Sequence, residues 1–116
     1  MTSRCPDHLP STPDGRYFVH GGRLWRCADP RLPDEAYQAG VDALMDARRA
    51  VGAAKRADDA VATQEARKQV DKAKRALGER GPTWWGGPDY NRKAPKNTPY
   101  ARWWAGLSDD DRAPGE

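Results

Sequence analysis

The chain lacks long apolar runs. No stretch approaches the ~20 apolar residues that cross a bilayer, which excludes an integral helical membrane protein. Hydrophobic residues make up only 37% of the 116 and charged residues 32%, so apolar content falls below the ~45–50% usual in globular chains. Branched aliphatics are scarce, and ten prolines and eleven glycines thin the rest. Such a chain buries only a modest core. Cysteine is also scarce: with Cys5 and Cys27 alone, one disulfide is allowed but a disulfide-dense secreted framework is excluded. The opening MTSRCPDHLPSTPDG has no apolar segment of secretory type. These absences lead to the expectation of a reduced, cytoplasmic protein. Catalytic motifs are missing too. There is no GxSxG, Walker loop, HExxH or GxGxxG, and His8 and His20 have no carboxylate-and-nucleophile partners visible in the sequence. No catalytic residue and no cofactor is assigned.

What is present divides the chain. Residues 1–14 are polar and rich in Pro and Ser, and read as a flexible lead-in. A single small domain is expected over 15–107. It opens with GRYFVHGGRLWRC, two β-prone runs flanking Gly21-Gly22. Gly-Gly suits a type I′ turn, which needs positive φ at both central positions. The hairpin 16–27 then sets Tyr17, Val19, Leu24 and Arg26 on one face, and Phe18, His20, Arg23 and Trp25 on the other. Two strands alone are unstable, so something must cover at least one face. The same register bears on zinc. Cys5 and His8 form a C-x₂-H half-site, but Cys27 and His20 lie four residues apart along the strands. That is ~13 Å at ~3.3 Å per residue, against metal bonds of ~2.0–2.3 Å. No metal is expected.

From 34 to 78 the chain is proline-free and rich in Ala, Arg, Lys, Asp and Glu, a helical composition. Pro33-Asp34-Glu35 is a suitable helix opening, since proline fits the first turn and carboxylates the positive end of the dipole. ARRAVGAAKRA (47–57) aligns with ARKQVDKAKRA (66–76) at an offset of 19. Two similar helices with narrow Ala/Val seams predict an antiparallel helical hairpin, with Asp58-Asp59 at the turn and one of the two capping the second helix. A single long helix is the competing reading. Gly52 weakens the first helix by ~1 kcal/mol against Ala unless a close contact uses its missing side chain. Basic residues recur seven apart at Arg48 and Lys55, Arg49 and Arg56, Arg67 and Lys74, and Lys68 and Arg75. Residues 34–80 hold ten basic and nine acidic side chains, so these stripes read as solvated flanks rather than a phosphate-binding face. Gly78 is a natural stop for the second helix.

The aromatics are concentrated instead. WWGGPDYNRKAPKNTPYARWW, residues 84–104, holds six of the ten aromatic residues and four basic ones. Thr98-Pro99 is expected to open a short helix on which Tyr100, Trp103 and Trp104 share one side. Each ring can bury ~150–250 Å², so the wrap 82–107 reads as a belt over the hairpin and helices that closes the domain. Residues 108–116 read as an acidic tail. The fold class expected is therefore α+β: β-hairpin, antiparallel two-helix hairpin, and Trp-rich wrap with a short helix.

The alternative for the stretch is an exposed stacking platform for single-stranded nucleic acid. Its candidate binding residues are Trp84, Trp85, Asp89, Tyr90, Asn91, Arg92, Lys93, Lys96 and Arg102. A second alternative is an enzyme using the Asp89–Arg92 neighbourhood, because Asp, Tyr and Arg together can do acid–base work. The strings DGRYFVHGGRLWR, ALMDARRAVGAAKRA, ALGERGPTWW and PDYNRKAPKNTPYARWWAGL resemble a family of small uncharacterised bacterial proteins often labelled biopolymer transporter Tol. The resemblance covers most of 14–107 and implies no activity, cofactor or site residue. The label implies an anchor or export signal, and neither is seen in this sequence, so it reads as a misnomer. The expected function is a small cytoplasmic binding or interaction module. Its favoured partner is another protein or a second copy through helices 34–78, with no membrane involved.

Overall fold

The computed structural model describes residues 4–116. They form two compact units where the sequence reading draws one domain: residues up to Pro30 with Thr83–Glu116, and Arg31–Pro82. The class is α+β as expected.

In the first unit, β1 (Tyr17–His20) and β2 (Arg23–Arg26) pair antiparallel in the register read from the sequence, Tyr17 opposite Arg26 and Phe18 opposite Trp25. Gly21 and Gly22 have φ of 60° and 75°, the left-handed geometry that a type I′ turn requires. Tyr17, Val19 and Leu24 are fully buried on the inner face, and Arg26 is buried beside them. Trp85, Tyr90, Tyr100, Trp103 and Trp104 pack on this face, each partly buried. The aromatic stretch therefore supplies the cover that a lone hairpin needs.

Both hairpin edges are also covered, which removes the open hydrogen-bonding row of an edge strand. Along β1, Val19 N–H donates to the Pro10 carbonyl at 2.8 Å and Thr12 N–H to the Tyr17 carbonyl at 2.9 Å. Along β2, Arg92 N–H donates to the Leu24 carbonyl at 2.7 Å and Leu24 N–H to the Lys93 carbonyl at 2.9 Å. Part of the expected lead-in thus lies along β1, and a Cys5–Cys27 disulfide joins it to the end of β2. Residues 1–3 of that lead-in fall outside the described residues.

The C-terminal elements also depart from the sequence reading. The short helix α3 spans Ala101–Ala105 and begins after Tyr100, not at Pro99. The Thr98 hydroxyl still accepts from Tyr100 N–H at 3.1 Å, but it caps a turn ahead of the helix. In the expected acidic tail, Ser108 caps α4 (Asp109–Arg112), whose first turn carries three aspartates. Carboxylates at that end of a helix are favourable. Beyond α4, the Gly115 carbonyl accepts from Gly22 N–H at 2.7 Å. A Cβ at Gly115 would sit 3.0 Å from the Val19 carbonyl oxygen, so this contact needs glycine.

The second unit is the antiparallel pair α2 (Ala60–Leu77) against α1 (Asp34–Arg56), and the single long helix is excluded. Gly40, Leu44, Ala47 and Ala54 of α1 are buried, as are Ala66, Ala73 and Leu77 of α2. At Gly40 an added Cβ would lie 2.6 Å from Leu77 Cδ2, so glycine makes room for that leucine in the seam. Asp59 caps α2 by accepting from Ala62 N–H at 2.9 Å, and Gly78 ends it at φ 83°. Among the described residues, no helix is long and apolar enough to cross a membrane.

Candidate functional site

The hairpin's inner face buries two polar groups, the Tyr17 hydroxyl and the Arg26 guanidinium. A buried charge needs a partner, and the DYN segment provides it. Asp89 Oδ2 receives Arg26 Nη2 at 3.3 Å, and Asp89 Oδ1 receives the Tyr17 hydroxyl at 3.1 Å. The same Oδ1 takes Asn91 N–H at 2.9 Å. The Tyr17 oxygen accepts from Tyr90 N–H at 2.7 Å, and Asn91 Oδ1 accepts from Arg26 N–H at 3.2 Å. The Arg26 side chain is 4% exposed, whereas Asp89 is 41% exposed. These groups engage one another and form a clamp between β2 and the aromatic segment. Burial, reinforced by the Asp89 charge, pushes the Tyr17 hydroxyl up to about 12. It therefore stays protonated at neutral pH and cannot serve as a base there.

A similar link closes the β1 edge of the sheet. The Tyr100 hydroxyl donates to Asp14 Oδ2 at 2.7 Å, and the Thr12 hydroxyl donates to Asp14 Oδ1 at 2.6 Å. Burial alone would raise the Asp14 carboxyl, but these donors and Arg16 N–H hold it below its usual value. Burial, and then the bond to Asp14, raises Tyr100 well above the usual tyrosine range.

The structure separates the remaining candidates. Trp84 and Trp85 stack edge to face at 4.8 Å, and Trp85 also meets Tyr17 at 5.3 Å. Trp84 Nε1 donates to the Cys27 carbonyl at 3.2 Å. Both rings are partly buried, and Trp85 packs against the hairpin core. Arg92 and Lys93 leave the belt and line a shallow cleft with Gly21, Gly22, Arg23, Ala94 and Asn97. Lys96 lies on the turn Pro95–Asn97, and Arg102 is exposed on α3. The four cations of the stretch thus do not form one row. Both cysteine sulfurs are in the disulfide. Among the described residues, no three His, Cys, Asp or Glu side chains are grouped to hold a metal.

On the helical unit, several expected stripe cations are neutralised. Arg49 pairs with Asp46, Lys68 with Glu65 at 3.2 Å, and both Arg75 and Arg80 with Asp71 at 2.8 and 3.1 Å. Hydrogen bonds from Arg75 and Arg80 lower the Asp71 carboxyl. Arg48, Val51, Arg67, Val70 and Arg80 line a groove. Its Arg48/Arg67 and Val51/Val70 pairs are equivalent positions of the 19-residue repeat. Burial raises the nearby Glu79 carboxyl, against the opposing charges of Lys74, Arg48 and Arg80.

Sequence reasoning missed Tyr17, Arg26 and Arg23 as partners of the DYNR segment. The signal was present: the expected register already put a tyrosine and an arginine on one face of a hairpin that needs cover. No protein family, curated protein or solved structure matches the chain.

Proposed function

We propose that the protein is a small non-catalytic interaction module that pairs with a second copy through its helical hairpin. The observation that carries this reading is a stripe on α1. Val41, Met45, Arg48, Gly52 and Lys55 recur at i, i+4, i+7, i+11 and i+14, which keeps them on one side. Met45 is 49% exposed, a large apolar side chain with little cover. An added Cβ at Gly52 would meet only the end of Arg56, at 3.3 Å. That leaves a flat place for a neighbour.

Charge gives the orientation. Residues 34–46 of α1 carry Asp34, Glu35, Asp42 and Asp46 and no basic residue, while 47–56 carry Arg48, Arg49, Lys55 and Arg56 and no acidic one. Such halves complement the helix dipole, and they also complement each other in antiparallel pairing. Two antiparallel α1 helices set Met45 of each copy over Gly52 of the other and Asp42 near Lys55, with the two Arg48 side chains at the crossing turned to solvent, where like charges are screened. The enzymatic alternative at Asp89–Arg92 loses support because Asp89 and Asn91 are engaged in the clamp. The disulfide weighs against the cytoplasm, since such bonds persist in oxidising compartments.

Sedimentation equilibrium tests the pairing. The expected result is a species of twice 12.9 kDa that Met45→Glu returns to monomer with unchanged helix content. A monomer at every concentration, or a dimer indifferent to Met45→Glu, would refute it.

A further inference from the structure

The cleft at the tip of the first unit concentrates cations without an acidic counterpart. Gly21, Gly22 and Arg23 come from the hairpin turn, and Arg92, Lys93, Ala94 and Asn97 from the segment beside β2. Two backbone bonds flank this juncture, Arg92 N–H to the Leu24 carbonyl and Leu24 N–H to the Lys93 carbonyl. Arg23 Nη1 donates to the Arg92 carbonyl at 3.0 Å, tying turn to segment. Arg92 itself adopts φ 70°, a left-handed conformation uncommon for a residue with a side chain. Backbone pairing thus fixes three exposed like charges around one concavity.

Three other arginines of this unit have carboxylate partners: Arg16 with Asp14, Arg26 with Asp89, and Arg112 with Asp109. Arg23, Arg92 and Lys93 form no ion pair among the described residues. Like charges held together repel unless an anion is shared among them. An aromatic face adjoins the cleft. Trp25 and Phe18 face each other across the strands, both partly buried. The Arg92 guanidinium lies over the Trp25 ring at 5.9 Å, and Trp25 Nε1 is fixed on the His20 carbonyl at 2.9 Å.

We infer that this cleft binds the phosphates of a single-stranded nucleic acid, with Trp25 as the stacking surface for a base. Cations for the backbone and a ring for the base are what such a strand requires. The platform sought in residues 84–104 is thereby moved to the outer face of the hairpin. Trp84 and Trp85 are not part of it. The site is independent of the α1 pairing, and Met45→Glu leaves it intact.

The test is fluorescence anisotropy of a labelled oligothymidylate titrated with the full chain from low to high salt, with inorganic phosphate as competitor. Three phosphate contacts give a slope of log affinity against log salt of about −2, at about −0.7 per contact on a single strand. Lys93→Gln and Arg23→Gln each make the slope shallower by about 0.7. Trp25→Leu weakens binding about tenfold and leaves the slope unchanged. Lys93 is exposed, so its variant reports on binding without a folding cost. Affinity indifferent to both Lys93→Gln and Arg23→Gln overturns the proposal. So does displacement of the strand by phosphate at an affinity equal to the strand's own.

Discussion

In the helical unit, the bonds that shape the chain are local. Asp59 caps a helix by reaching three residues on, and Lys68 and Arg75 pair with acids three and four residues back. In the aromatic unit, Tyr17 bonds to Asp89 across 72 residues, Tyr100 to Asp14 across 86, and Cys5 to Cys27 across 22. The helical core is a seam of alanines with two leucines, and it leaves Met45 and Val61 exposed. The aromatic core gathers rings around three fully buried side chains. A thin seam with uncovered apolar residues suits a unit that pairs with another surface. A core of polar-tipped rings must fix each tip, and Asp14, Asp89 and the backbone do so.

The largest effect should come from the covalent constraint on the lead-in. Cys5→Ser removes a cross-link between positions 22 apart, worth roughly 3 kcal/mol by loop-closure entropy. Denaturant unfolding followed by tryptophan emission should show that loss in the aromatic unit. An unchanged midpoint would mean that the Pro10–Thr12 backbone bonds hold the segment alone.

Alkaline pH should act next, and again on the aromatic unit. Tyr17 and Tyr100 both have folded-state values above the usual 10. A group raised by folding favours the native state below its unfolded value and loses that contribution as pH rises through the folded one. Near-ultraviolet circular dichroism should therefore be flat from neutral pH to about 10 and fall beyond it, across the window up to about 12 set by Tyr17. Loss of the signal well below 10 would contradict the buried, donor-bonded hydroxyls.

Two glycines of α1 sharpen the comparison from the helical side. Gly40→Ala places its Cβ 2.6 Å from Leu77, which is 1% exposed and has no room to retreat. Overpacking of that kind costs about 1–3 kcal/mol, more than the roughly 1 kcal/mol that alanine gains in helix propensity. Thermal unfolding should show net destabilisation. Gly52→Ala meets only the mobile end of Arg56, so the monomer should gain up to about 1 kcal/mol. Equal signs for the two would break the assignment of Gly40 to the seam and Gly52 to the surface.

The comparison also explains what the sequence disclosed. Local physics was legible: the Gly21-Gly22 register, the Asp59 cap and the Gly78 stop each depend on neighbours within a few residues. The cover of the hairpin by aromatics followed from the instability of two strands alone; which face they cover did not. The pairing of Pro10–Thr12 with β1 and of Arg92–Lys93 with β2 was not legible, because backbone hydrogen bonds carry no residue signature. The same blindness left Arg23 apart from Arg92, and so hid the cationic cleft. The tail was read as solvated because it is acidic. Its three aspartates instead favour the start of α4, and Gly115 reaches the hairpin turn.

The central claim is that the DYN segment closes the aromatic unit by holding Tyr17 and Arg26. Urea unfolding of Asp89→Asn tests it most directly. Asparagine keeps the shape and an oxygen for Tyr17, but it removes the negative charge that Arg26 Nη2, on a side chain 4% exposed, meets at 3.3 Å. The account predicts a loss of about 1–3 kcal/mol, read as a lower midpoint at an unchanged slope. A variant as stable as the parent would contradict it, and would return Asp89 to the list of groups held ready for a ligand.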